Sequence, residues 1–61
     1  MSRKVIRSDE GYQVWRNNQI IAMTDENEVL RARINGEWQT IGKASNEREI
    51  LAELDAHGIF R

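Results

Sequence analysis

Arg31 and Arg33 stand two apart in a run, Val29 to Ile34, whose alternate members Leu30, Ala32 and Ile34 are apolar. On a β-strand, successive side chains leave on opposite faces. The two guanidinium groups therefore share one face and the aliphatic side chains the other. A guanidinium grips carboxylate or phosphate through paired N–H bonds and stacks on aromatic rings. The chain has two tryptophans, and both Trp15 and Trp38 lie in neighbouring runs of β-formers. Arg and Trp are the residue types enriched at binding hot spots. With Arg16, Gln13 and Thr40 nearby, the candidate binding face is Trp15, Arg31, Arg33, Trp38, Arg16, Gln13 and Thr40. The plain alternative, of equal weight, is a solvated face on which arginine stems lie over indole rings.

Other chemistry finds less support. There is no Cys, hence no thiol nucleophile, no disulfide and no Cys-based zinc site. Ser2, Ser8 and Ser45 fall at a terminus, in a turn and at a helix cap. The single histidine, His57, works as a base only if the fold brings a nucleophile to it. In the last turn of a helix its plainer role is to meet the terminal carbonyls. Asp25-Glu26-Asn27-Glu28 fails as a calcium loop, because Val29 and Leu30 stand where an oxygen ligand and a glycine are needed. The four glycines are isolated, so no phosphate-binding loop is present. A non-enzymatic chain with no catalytic residue, metal or cofactor is expected.

The chain has 61 residues and a net charge of −1, so residues 1–61 form a single small domain. A chain of this size buries only about 60% of the surface it exposes when unfolded. So small a core makes homodimerisation a live expectation. The charge balance disfavours nucleic acid as a partner, since non-specific binding runs on excess positive charge. The longest fully apolar run, Ile20 to Met23, is too short to cross a bilayer. No apolar segment follows Arg3-Lys4, so a cytoplasmic location is expected.

Alternation and turn residues predict strands at about 12–17, 20–25, 29–34 and 37–41, with Arg3 to Arg7 a candidate short edge strand. Asn17-Asn18 and Asn35-Gly36 mark hairpin turns, because these residues accept positive φ. A helix is predicted at about 46–57, capped by Asn46 with Glu49 or by Ser45, and closed at Gly58 with Ile59 or Phe60 folding back on Leu54. The fold class is α+β. An antiparallel sheet of four (three to five) strands, built from hairpins, is covered on one face by a single C-terminal helix. With a two-residue Asn17-Asn18 turn, Val14 opposes Ile21 and Tyr12 opposes Met23. The expected core is Tyr12, Val14, Ile21, Leu30, Ala32, Ile34, Ile41, Ile50, Leu51 and Leu54. The Asn35-Gly36 hairpin allows two registers. One sets Arg33 opposite Trp38 and Arg31 opposite Thr40; the other slips by one residue and sends Trp38 to the core.

Strands followed by a helix, with Arg31-x-Arg33-x-Asn35-Gly36 in the hairpin, resemble the arm-binding domains of tyrosine recombinases over roughly residues 12 to 57. That resemblance implies a three-stranded sheet docked in the DNA major groove, backed by the helix, with Arg31, Arg33 and Trp38 touching DNA. The residues themselves favour a non-enzymatic interaction module that uses the Arg/Trp face on a protein partner or in self-association. DNA binding through the same face is the alternative.

Overall fold

The computed structural model describes residues 3–59. Its elements are β1 (Arg3–Arg7), β2 (Tyr12–Arg16), β3 (Gln19–Thr24), β4 (Val29–Ile34), β5 (Glu37–Lys43) and α1 (Glu47–Ala56). The strands form one antiparallel five-stranded sheet in the order β1-β2-β3-β4-β5. The candidate edge strand at the N-terminus is a full member, paired with β2 from Arg3↔Arg16 to Arg7↔Tyr12. The sheet stays open, and α1 covers one face: an α+β fold.

The core is small. Val14, Ala22, Leu30, Ala32, Ala44, Ile50 and Leu54 are buried, with Val5, Tyr12, Ile21, Ile34, Ile41 and Ile59 packed around them. Ile50 and Leu54 stand one helical turn apart, so both point at the sheet. Ala22 and Ala32 pair across β3 and β4, and both are fully buried. Leu51, expected in the core, is only half-buried, one position round the helix from Ile50.

Two β-bulges set the faces. Arg16 pairs with Gln19, so Asn17-Asn18 is the two-residue turn expected, but the register shifts between Val14 and Trp15. Ile21 is the extra residue. Val14 therefore opposes Ala22, and Gln13 opposes Met23. The expected pairs Val14–Ile21 and Tyr12–Met23 do not form. Ala22 moves into the core and Met23 moves out, because one inserted residue reverses the alternation beyond it. In the second hairpin Asn35 and Gly36 both have positive φ. The pairs Ile34↔Glu37, Arg33↔Trp38 and Arg31↔Thr40 select the first of the two registers. The shift on β5 comes later, at Ile41, which returns to the core side.

Buried Thr24 serves as a backbone substitute at the end of β3. Its Oγ1 accepts from the Tyr12 N–H at 2.8 Å. Gly11, just before Tyr12, lies so close that a Cβ there would come within 2.5 Å of the Thr24 carbonyl and hydroxyl oxygens.

The helix ends follow the sequence closely. Asn46 Oδ1 accepts from the Glu49 N–H at 2.9 Å, and Glu49 Oε1 accepts from both N–H and Oγ of Ser45, at 2.8 and 2.7 Å. Asn46 is the cap; Ser45, the alternative, instead donates to Glu49, whose carboxylate reaches one residue past the cap. These bonds from Ser45 hold the Glu49 carboxyl below its ordinary value. At the C-terminus Gly58 has φ +73°, a conformation that costs a residue with a Cβ about 1–2 kcal/mol. Its N–H donates to the Asp55 carbonyl and that of Ile59 to the Leu54 carbonyl, each at 3.0 Å. This is the paired closure of a Schellman motif. Ile59 is the residue that packs back on the core; Phe60 lies outside the described residues.

Candidate interaction face

The face of the sheet away from α1 carries the candidate site. Strand alternation and the registers of the four strand pairs place five residues in a row from edge to edge: Ile6, Gln13, Met23, Arg31 and Thr40. Beside it Lys4 opposes Trp15, and Trp15 opposes Ile20. At the far edge Arg33 opposes Trp38. Val29 and Lys43 pair at the end of β4 and β5. Six of the seven expected face residues therefore share this side. Arg16 does not: it alternates with Trp15, pairs with Arg3 and Gln19, and belongs to the helix side. Strict alternation within β2 already sends it there, because successive strand residues leave on opposite faces.

Arg31 is not a free recognition group. Its Nη1 donates to Asp25 Oδ2 at 3.0 Å. The other oxygen, Asp25 Oδ1, accepts from the N–H groups of Asn27 and Val29 at 2.9 and 3.1 Å. The acidic segment 25–28 is thus a turn built around one carboxylate. The Arg31 N–H, foremost, and the Val29 N–H hold the Asp25 carboxyl below its ordinary 3.8. Glu28 completes the turn at φ +64°, and its carbonyl accepts from the Ala44 N–H.

Arg33, Lys4 and Lys43 are exposed, and among the described residues no carboxylate pairs with them. Trp38 is the most exposed large hydrophobic among the described residues, at 44%. Trp15 is half-buried, and its Nε1–H donates to Gln13 Oε1 at 3.2 Å, which fixes the ring's tilt. Lys4, Ile6, Trp15, Asn17 and Asn18 line a cleft of about 260 Å³ at the β1 edge.

Sequence reasoning missed the charge distribution. The open face carries four cations, Lys4, Arg31, Arg33 and Lys43, and one carboxylate, Asp25, already bonded. The other nine acids lie elsewhere. Asp9 and Glu10 are in the β1–β2 turn and Glu26 and Glu28 in the β3–β4 turn. Glu37 is on the opposite side of β5, and Glu47, Glu49, Glu53 and Asp55 are on α1. A net charge of −1 conceals a basic face backed by an acidic helix. For three of the four the signal was in the sequence: Lys4, Arg31 and Arg33 alternate with core residues, whereas Lys43 reaches this face only through the bulge at Ile41.

His57 is exposed, with Nδ1 3.0 Å from the Glu53 carbonyl oxygen, the helix-end contact expected of it. Among the described residues no three His, Asp or Glu side chains cluster to hold a metal ion, and no helix is long and apolar enough to cross a membrane. Comparison with protein-family models, with curated proteins and with solved structures finds no match to this chain.

Proposed function

We propose that this chain is a non-enzymatic interaction module that binds an anionic partner through its open sheet face. One observation carries the reading. Among the described residues, the sheet face left uncovered by α1 bears both tryptophans and four cations against a single, satisfied carboxylate. Trp supplies contact area, and Arg and Lys supply attraction for negative charge. The same charges argue against two copies pairing face to face, since an isologous interface would set cation against cation.

Heparin chromatography of the full chain tests this. Retention at low salt, despite a net charge of −1, is expected, with loss of retention in the double variant Arg33→Glu, Lys43→Glu. Both side chains are exposed, so the variant keeps its fold. Arg31 is left in place because it holds Asp25. Passage of the wild type through the column without delay contradicts the reading.

A further inference from the structure

Resting on that reading, we infer that the anionic partner is a single-stranded nucleic acid laid across the strands of the open face. Three features of the face converge on this ligand. The first is the alternation of cation and ring along it. Lys4 stands beside Trp15 at the β1–β2 edge and Arg33 beside Trp38 at the β4–β5 edge, so each edge of the sheet sets a cation next to an aromatic ring. Single strands are held by this combination of charged groups along the backbone and rings under the bases. An acidic protein segment meets the charges but stacks on the rings only where it brings aromatic side chains of its own, whereas every nucleotide carries a π-face.

The second feature is width. Five strands about 4.8 Å apart span roughly 19 Å, whereas the major groove of duplex DNA is about 12 Å wide. The whole face cannot enter a groove that admits a two-stranded ribbon. Trp15 and Trp38 sit on strands three steps apart, about 14 Å, and only a strand with unpaired bases can reach both rings. This departs from the three-stranded docking that the recombinase-arm resemblance implies.

The third feature is the cleft at the β1 edge. Its wall is Trp15 and Ile6, its cation is Lys4, and Asn17 and Asn18 stand at its rim. A planar base fits against the indole, the ammonium meets the adjoining phosphate, and the two amides offer donors and acceptors to the base edge. Gln13 holds the Trp15 ring in place for this contact.

The test is fluorescence anisotropy of a labelled fifteen-nucleotide oligothymidylate with the full chain. Three unpaired cations predict a slope of about −2 in log affinity against log salt, near 20-fold weakening from 50 to 200 mM. Arg33→Ala should reduce that slope by about 0.7. Trp38→Ala, at an exposed ring, should weaken binding about 5- to 150-fold with an unchanged circular dichroism spectrum. Two competitors separate the possible failures. If fifteen-residue polyglutamate binds as tightly as oligothymidylate and Trp38→Ala changes neither, the nucleic-acid inference falls and the anionic-partner reading survives. If neither probe binds at low salt, both fall. Tighter binding of the matched duplex than of the single strand overturns the inference as well.

Discussion

Thr24 gives a sharp test of how the sheet is held together. Thr24→Val keeps the shape and removes one oxygen, the acceptor of the Tyr12 N–H. The site is buried, with Thr24 at 6% exposure, and Gly11 packs against the same oxygen, so water has little room to replace it. Leaving a buried donor unsatisfied costs about 1–3 kcal/mol. The extra methyl returns part of that, up to about 0.8 kcal/mol for full burial. The net expected loss is about 1–2 kcal/mol, a large share of the roughly 3–9 kcal/mol that a chain of this length commands. Thr24→Ser keeps the acceptor and loses only a methyl, so it should cost less. Urea denaturation followed by tryptophan fluorescence measures both. With a slope of about 1 kcal/mol/M, Thr24→Val should lower the midpoint by about 1–2 M. A valine variant as stable as wild type, or more stable than the serine variant, would refute the role given to this hydroxyl.

Further outcomes follow from the same physics. Leu54→Ala should destabilise by about 2–5 kcal/mol, as for a fully buried leucine, read by the same denaturation assay. Glu28→Gly should be neutral or stabilising by up to about 1 kcal/mol, because glycine relieves the positive φ at that turn; a marked loss would mean that the Glu28 side chain is itself structural. Asp25 should titrate by carboxyl NMR below its ordinary 3.8, and Arg31→Gln should move it back up. A folded value below the unfolded one stabilises the fold above the unfolded value, and that contribution is lost as pH falls through the folded value. Acid sensitivity below the ordinary carboxylate range should therefore diminish in Asp25→Asn.

Much of this architecture is legible in the chain because its turns are written in residues with few alternatives. Asn17-Asn18 and Asn35-Gly36 demand positive φ, and Asn46, Glu49 and Gly58 bracket a helix whose Ile50 and Leu54 must turn inward. The bulges at Ile21 and Ile41 are not legible. A bulge is one extra residue in a run of β-formers, and nothing local distinguishes Ile21 from its neighbour Ile20. Only the need to bury Ala22 opposite Val14, a relation between strands, selects it. That single residue decides that Met23 joins the open face. The candidate face was readable where alternation was strict, as at Arg31 and Arg33. Trp38 waited on the hairpin register, and Arg16 was misplaced although alternation with Trp15 sends it to the helix side. The charge of the face was hidden because a net value sums over both sides of the sheet.

The most direct test of the open face as the binding surface is a ¹H–¹⁵N NMR titration of the full chain with the oligothymidylate. Shifts concentrated at Lys4, Ile6, Trp15, Arg33, Trp38 and Lys43, including the indole N–H signals of both tryptophans, are the expected result. Shifts confined to α1 and the acidic turns, or a spectrum unchanged at low salt, would contradict it.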